Sequence, residues 1–157
     1  MKQKIDFKIE SACLSDAASV SVIEKECFSS PWSENQVRDE ICKDNVIFLV
    51  STSEDELCGY ISGQLILDEF YINNVAVSER FRNNGVASAL IRRLLEILGT
   101  KHCTLATLEV RESNVNARSL YEKFGFVNLG IRKDFYSHPK ENACIYTLYF
   151  NESECEN

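Results

Sequence analysis

The sequence predicts a mixed α/β (α+β) fold, in which a mostly antiparallel sheet is flanked by helices. Strand-like and helix-like segments alternate along the whole chain, without an internal repeat or a low-complexity linker. Three strand-like runs between residues 46 and 77 are joined by short links, which predicts that they pair as an antiparallel meander. The 157 residues suffice for one domain whose hydrophobic core needs neither disulfides nor metal.

The first part of the chain predicts a strand followed by two helices. Apolar and polar residues alternate over residues 5–10, as in a strand with one solvent-exposed face. Ser15 is placed to cap a helix that runs to about residue 28. Ser33 followed by Gln36 is a capping-box signature, so a second, shorter helix is expected to begin there and to end near residue 43.

The middle of the chain predicts three strands and the longest helix. Residues 46–51 form a continuous apolar run typical of a buried strand, and residues 57–67 and 71–77 supply the next two strands. Over residues 85–98 a wide apolar face lies opposite a polar one, which is the strongest helical pattern in the sequence. Gly99 is the predicted stop of this helix.

The final part of the chain predicts four further elements. They are a strand over 104–110, a helix over 114–124, and strands over 126–131 and 143–150. Asn114 is placed to cap the helix and Gly125 to end it. The polar stretch over 133–142 is expected to be a loop that carries Phe135 and Tyr136.

Charge and composition exclude several classes of function. The chain carries 17 basic and 24 acidic residues, a formal net charge of −7, which argues against general nucleic-acid binding. No apolar run approaches the ~18 residues of a membrane span, and the N-terminus lacks an apolar signal segment, so a cytoplasmic protein without a membrane partner is expected. Residues 1–150 are expected to form the domain, and residues 151–157 an acidic, disordered tail.

Metal and disulfide chemistry are not expected. The seven cysteines include no C-x-x-C pair and most lie in apolar stretches, so they are interpreted as reduced, buried thiols. His102 and His138 lack the spacing of metal ligands, and no metal site is predicted. Cys155, in the acidic tail, is expected to be exposed and is given no role.

The segment from Arg82 to Ala87 joins a strand to the N-terminus of the longest predicted helix. Backbone N–H groups in the first turn of a helix are unpaired and, together with the helix dipole, favour an anion. Gly85 and the small Ala87 let this backbone approach a phosphate closely, while Arg80 and Arg82 add positive charge. The alternative is a plain strand-to-helix turn without a ligand.

Glu109 and Tyr121 are the two candidates for proton transfer. On a strand, Glu109 shares a face with Leu105 and Thr107, and a carboxylate within a buried strand is costly unless it is paired or functional. The alternative is a solvated carboxylate at a strand end. Tyr121 lies in the apolar stripe of a helix, either as a core residue or with a hydroxyl that needs a partner. Asn114 can cap that helix and still contact a ligand.

Several motifs in order resemble the GNAT (GCN-related) N-acetyltransferases, and within that family the branch that acetylates the N-terminal alanine of bacterial ribosomal proteins. The helix-start segment is similar to the family's coenzyme A pyrophosphate loop, with Asn83 at a usually basic position and Ala87 in place of the last glycine. The other motifs that carry the resemblance lie at 31–34, 67–69, 74–77, 108–114 and 120–126. The predicted order of elements is also that of the family, over nearly all of the chain before the tail.

The resemblance implies a role for each matching residue. Glu109 falls at the position of the general base and Tyr121 at that of the general acid. The implied contacts with acetyl-coenzyme A are Val75, Ala76, Val77, Arg82, Asn83, Asn84, Gly85, Val86, Ala87, Ser88 and Asn114. The residues interpreted as an acceptor groove are Trp32, Asp68, Glu69, Phe135 and Tyr136.

The expected function is that of an acyltransferase with acetyl-coenzyme A as co-substrate. The expected acceptor is the N-terminal α-amine of a protein that begins with alanine, namely a ribosomal protein. An α-amine, with a pKa of about 8, is easier to deprotonate at pH 7 than a lysine side chain, with a pKa of about 10.4. Two alternatives stay open: transfer to a small-molecule amine such as a polyamine or an aminoglycoside, and a non-catalytic module that binds acetyl-coenzyme A.

Overall fold

The computed structural model describes residues 4–151, which form one seven-stranded sheet with helices on both faces. The strands are β1 (Lys8–Ser11), β2 (Val46–Ser53), β3 (Glu56–Ile66), β4 (Glu69–Val77), β5 (Leu105–Arg111), β6 (Val127–Ser137) and β7 (Lys140–Tyr149). The helices are α1 (Ala17–Cys27), α2 (Glu34–Cys42), α3 (Val86–Thr100) and α4 (Val115–Lys123). Of the predicted acidic tail, Asn151 lies within the described residues, and the remainder with Cys155 lies outside them.

The sheet is mixed and mostly antiparallel, so the predicted fold class is confirmed. The strand order is β1-β2-β3-β4-β5-β7-β6, and every neighbouring pair except β4 and β5 is antiparallel. The predicted meander is confirmed as β2, β3 and β4. Because parallel neighbours need a long crossover, the chain connects β4 to β5 through α3.

Two hydrophobic clusters hold the helices against opposite faces of the sheet. On one face, α3 buries Leu90, Ile91 and Leu94 completely against apolar residues of β3, β4 and β5. On the other face, α1 and α2 bury Val20 and Val37 against β2 and β3. Burial of each such side chain contributes about 1.5–3 kcal/mol, so the apolar stripes of the helices account for this layered arrangement.

β4 and β5 separate after a short paired stretch, which opens the sheet. The paired residues are Glu69–Tyr71 in β4 and Leu105–Thr107 in β5. A β-bulge follows at Asn73, which is skipped in the pairing of β4 with β3. A bulge bends its strand and increases the local twist. The later residues of β4 and β5 therefore border a gap.

Two of the predicted helix caps are present and one is not. The Ser33 N–H donates to Gln36 Oε1 at 2.8 Å, and the Gln36 N–H donates to Ser33 Oγ at 3.2 Å. Asn114 Oδ1 accepts from a backbone N–H in the first turn of α4 at 3.2 Å. The Ser15 cap is wrong, because a 3₁₀ turn over Leu14–Asp16 precedes α1 and contains that serine.

The strands at the two edges of the sheet differ from the prediction. β1 begins at Lys8 and not at residue 5, since the apolar residues before it pack against the core outside the sheet. The loop expected over 133–142 is wrong, because β6 extends to Ser137 and β7 begins at Lys140. β6 is an edge strand with mostly exposed side chains, so it lacks the alternation that marks a half-buried strand.

Gly99 lies within α3, which continues to Thr100, so the predicted helix stop is wrong. A Cβ added at Gly99 meets no atom within 4 Å. We expect Gly99→Ala to raise the free energy of unfolding by about 0.5–1 kcal/mol, because alanine loses less backbone entropy in a helix than glycine does. Urea-induced unfolding followed by circular dichroism measures this change.

Gly85→Ala is the matched control for that experiment. Gly85 has a φ of +79°, in the left-handed region that favours glycine. The same substitution there is expected to lower the free energy of unfolding by about 1–2 kcal/mol. A loss of stability in both variants would contradict the helical position of Gly99.

Candidate active site

A cleft of about 1140 Å³ opens at the gap between β4 and β5. Its walls come from the ends of α1, α2 and β3, from the segment that follows α1 and from β4. The second half of β5, α4 and the β6–β7 hairpin complete the lining. These elements come from both faces of the sheet. Residues from both faces of the sheet therefore border one cleft.

Three of the five residues interpreted as an acceptor groove line this cleft. They are Trp32, Phe135 and Tyr136. Asp68 and Glu69 are not among the lining residues: Asp68 lies in the turn between β3 and β4, and Glu69 is the first residue of β4, paired with Leu105. Glu69 is connected to the cleft through one neighbour, since its carboxylate accepts a hydrogen bond from the hydroxyl of the lining residue Tyr71 at 2.7 Å.

Glu109 and Tyr121 both line the cleft, although they reach it from opposite faces of the sheet. Leu108 and Val110, the neighbours of Glu109 in β5, are buried in the same cluster as Tyr121. Because side chains alternate along a strand, Glu109 points to the other face. The two side chains share a cleft at the point where β4 and β5 are no longer paired.

The carboxylate of Glu109 is accessible and pairs with Arg132 on β6. Arg132 Nη1 donates to Glu109 Oε1 at 3.0 Å, and the side chain of Glu109 is 35% exposed. The sequence left open whether Glu109 is a buried carboxylate or a solvated one, and this exposure matches the solvated carboxylate. An exposed ion pair contributes about 0–1 kcal/mol, so an incoming cation can displace Arg132 at small cost. Arg132 was not predicted, since its pairing depends on the β6–β7 hairpin.

Tyr121 combines an apolar setting with a hydroxyl that no described residue binds. The residue is 7% exposed, and its ring packs edge-on against Phe126 with the centroids 5.8 Å apart. Burial raises the pKa of Tyr121 above its usual value, and the nearby Tyr136 raises it further. The hydroxyl therefore stays protonated below pH about 10 and can donate into the cleft.

Arg111 fixes the β6–β7 turn as one wall of the cleft. Its guanidinium lies over the ring of Tyr136, 4.2 Å from the centroid. It also donates to the backbone carbonyls of Pro139 at 3.0 Å and of His138 at 3.1 Å, and it pairs with Glu141 at 3.2 Å. The sequence placed Arg111 in a motif but gave it no role, because these partners are about 25–30 residues away.

The turn before α3 is held by its own side chains. Asn83 and Gly85 both have positive φ, +63° and +79°. The side-chain amide of Asn84 donates to the carbonyls of Phe81 at 3.0 Å and Arg82 at 2.9 Å. Asparagine tolerates the left-handed region and bonds readily to nearby backbone, which explains why two of them suit this turn.

The start of α3 is open. Gly85 is the N-cap of α3, and the first hydrogen bond of the helix is donated by the Ala89 N–H to the Gly85 carbonyl at 3.0 Å. Among the described residues, no acceptor is bound to the N–H groups of Val86, Ala87 or Ser88. A Cβ on Gly85 would also meet no atom within 4 Å. The predicted anion cradle is thus not filled by these parts of the chain.

Arg82 and the end of β4 contact α1. Arg82 was expected to add charge near the start of α3, but its Nε donates to the Val77 carbonyl at 3.2 Å and its Nη2 to Cys27 Sγ at 3.4 Å. The guanidinium is thus attached to β4 and α1. Val75 lines the cleft, whereas Ala76 is buried in the cluster around α1.

Three further observations concern the described part of the chain. Residues 4–151 contain no group of three or more His, Cys, Asp or Glu side chains that could hold a metal ion. Within the same range, no helix is both long and apolar enough to cross a membrane. Cys58, Cys103 and Cys144 are buried as expected, but Cys13 and Cys42 are exposed.

The chain resembles known acetyltransferases in sequence. Residues 17–126 match the family model described as Acetyltransferase (GNAT) family, a range that contains Glu109 and Tyr121. A Haemophilus ducreyi protein named ribosomal protein bS18-alanine N-acetyltransferase is 32% identical over 144 residues, which cover 90% of this chain and 99% of that protein.

Solved structures of similar proteins share the fold. The crystal structure of the ribosomal-protein-S18-alanine N-acetyltransferase from Escherichia coli matches with a TM-score of 0.86 and 28% identity, over 94% of this chain and 97% of that chain. The structure of Ard1 from Thermoplasma volcanium matches with a TM-score of 0.85 and 28% identity, over 93% of this chain and 99% of that chain. The similarity therefore includes the β6–β7 hairpin that lies beyond the family match.

Proposed function

The chain belongs to the acetyltransferase (GNAT) family, and we propose that it moves an acetyl group from acetyl-coenzyme A to the N-terminal α-amine of an alanine-started protein. The names of the H. ducreyi and E. coli relatives support a ribosomal protein as the acceptor, and we propose that the chain acts in the cytoplasm. The observation that carries the proposal is the single cleft that Glu109 and Tyr121 line from opposite faces of the sheet.

The donor is assigned to the face that carries α3 and α4. The unpaired N–H groups of Val86, Ala87 and Ser88, with the helix dipole behind them, suit the diphosphate of coenzyme A. Tyr121 lies on this face, and Val75 and Asn114 line the cleft beside it. The thioester end is expected at the gap between β4 and β5, where backbone groups of β4 are not used by β5.

The acceptor is assigned to the face that carries α1 and α2. Trp32 and Tyr136 form two walls there, and Glu109 faces the same side. An α-amine with a pKa of about 8 needs roughly 1.4 kcal/mol to become neutral at pH 7, whereas a lysine side chain needs roughly 4.6 kcal/mol. An accessible carboxylate in place of a stronger base is therefore better matched to an N-terminal amine.

The proposed reaction is direct and conserves atoms and charge. The acceptor nitrogen forms a bond with the acetyl carbon, and the bond between that carbon and sulfur breaks. The Glu109 carboxylate accepts the proton that the amine loses, and the Tyr121 hydroxyl donates a proton to the departing thiolate. Proton exchange with solvent through the exposed Glu109 side of the cleft restores both groups.

The direct test is incubation with acetyl-coenzyme A and an alanine-started peptide, followed by mass spectrometry of the peptide. The expected result is the mass gain of one acetyl group, located on the α-amine. The control is a version of this peptide with a blocked N-terminus and an internal lysine, and it should gain no acetyl group. Parallel reactions with a polyamine and an aminoglycoside decide between acceptor classes, and faster transfer to either would contradict the proposal.

Gly85→Ala is expected to weaken acetyl-coenzyme A binding about tenfold. The added Cβ occupies open space at the N-cap of α3, the helix end assigned to the diphosphate, and it strains the left-handed backbone. Isothermal titration calorimetry measures the Kd. Gly99→Ala, in the last turn of the same helix, should leave the Kd unchanged. Equal affinities in all three proteins would contradict the assignment of the diphosphate to this helix.

A further inference from the structure

Glu24 is a buried carboxylate at the wall of the cleft. It lies on α1, is 1% exposed and still lines the cleft. Its Oε1 accepts from the Tyr60 hydroxyl and from Asn74 Nδ2, the latter at 2.8 Å, and its Oε2 accepts from the Trp32 backbone N–H at 3.0 Å. One side chain thus joins α1 to β3, to β4 and to the segment that leads into α2.

Two of these partners lie at positions that matter for the acceptor. Trp32 belongs to the segment that forms the acceptor-side wall of the cleft. Asn74 directly follows the bulge at Asn73, where β4 turns away from β5 and the gap begins. The Glu24 carboxylate therefore fixes the distance between the acceptor wall and the edge of the gap.

Glu24 is poorly suited to be a second base. Three donors already occupy its two oxygens. Burial and the adjacent carboxylate of Glu24 raise the pKa of Tyr60, so that hydroxyl remains a donor. Glu109, in contrast, is exposed, and among the described residues its carboxylate accepts a hydrogen bond from Arg132 alone.

We propose that Glu24 is a positioning residue for the acceptor, which holds the Trp32 segment against Asn74 so that the incoming amine meets Glu109 at the gap. The proposal rests on the proposed function, since it concerns how one of the two substrates is placed. Donor binding at the α3 N-terminus lies on the opposite face and does not depend on Glu24.

Glu24→Gln is the principal test. A carboxamide has the same shape but can accept on one atom alone, so at least one of the three donors would face an NH₂ group. We expect the KM for an alanine-started peptide to rise about tenfold or more, while the Kd for acetyl-coenzyme A changes by less than about twofold. The pH dependence of kcat/KM should keep its shape, because Glu24 is not the base.

Tyr60→Phe is the graded second variant, and it keeps the test informative if Glu24→Gln folds poorly. It removes one donor and leaves the contacts of Glu24 with Trp32 and Asn74, so a smaller increase in peptide KM is expected. Glu10→Gln, on the exposed strand β1, controls for the loss of one negative charge and should match the wild type.

Several outcomes would overturn the inference. An unchanged peptide KM in both Glu24→Gln and Tyr60→Phe contradicts it, and so does an equal loss of peptide and acetyl-coenzyme A affinity, which indicates a general structural role. A shifted acidic limb in the pH profile would instead make Glu24 a base. If the wild type itself transfers no acetyl group to any peptide, the proposed function fails first and this inference fails with it.

Discussion

Tyr121→Phe is expected to lower kcat by about 10²–10⁴-fold, the usual range for the loss of a general acid. The buried ring and its packing against Phe126 are retained, and no described residue loses a hydrogen bond, because none binds the hydroxyl. The free energy of unfolding at pH 7 should therefore change little. Steady-state kinetics with a saturating peptide and acetyl-coenzyme A, together with urea unfolding, measure the two quantities.

The same substitution has an expected signature in alkaline solution. Burial raises the pKa of Tyr121 in the folded chain above the value of about 10 that it has when unfolded. The contribution of Tyr121 to stability is fully present below pH 10 and is lost as the pH rises toward the folded pKa. In that range the Tyr121 hydroxyl is ionised in the unfolded chain but still protonated in the folded one. The phenylalanine variant lacks this loss, so its stability should fall less steeply above pH 10.

Tyr149→Phe is the matched control for Tyr121→Phe. Tyr149 is 62% exposed at the end of β7, so removal of its hydroxyl should affect neither kcat nor stability. A wild-type kcat in Tyr121→Phe would contradict the role of Tyr121 as the acid. A comparable loss in both variants would point to a general effect of the substitution.

Glu109→Gln is expected to lower kcat/KM for the peptide by about 10²-fold or more at pH 7, because the amine then loses its proton without an adjacent carboxylate. The deficit should shrink above pH about 8, where the α-amine is already neutral. Stability should change by about 0–1 kcal/mol, since the exposed pair with Arg132 is lost. A pH series of initial rates with a fixed peptide measures this dependence.

Two comparisons make the Glu109 result interpretable. Glu10→Gln removes an equivalent exposed carboxylate from β1 and should leave the pH profile unchanged. Arg132→Gln frees Glu109 from its partner and should not reproduce the loss. If Arg132→Gln is as slow as Glu109→Gln, the ion pair is the essential feature, and Glu109 alone is not the base.

The parts of the fold that depend on local signals were predictable. The capping box at Ser33 and the cap at Asn114 are set by residues within one helical turn, and both are present. The meander follows from apolar runs with short links, because a short link makes each strand pair antiparallel with the next one along the chain. Glu109 and Tyr121 lie where alternation in a strand and spacing in a helix placed them.

The parts that depend on distant partners were not predictable from the pattern. The wall of the cleft formed by the β6–β7 hairpin was taken for a loop, because an exposed edge strand gives no apolar alternation. The contacts of Arg111 with that hairpin and of Glu24 with Asn74 join residues that lie far apart in the sequence. The separation of β4 from β5 is likewise a property of the assembled sheet.

The gap between β4 and β5 has a consequence for the order of events in catalysis. Because residues from both faces of the sheet line it, we expect the thioester and the amine to bind at the same time, each from its own face. Double-reciprocal rate plots should then intersect instead of running parallel, and no acetylated form of the protein should accumulate when the acceptor is withheld. Free coenzyme A should inhibit competitively with respect to acetyl-coenzyme A. It should not compete with the peptide for binding.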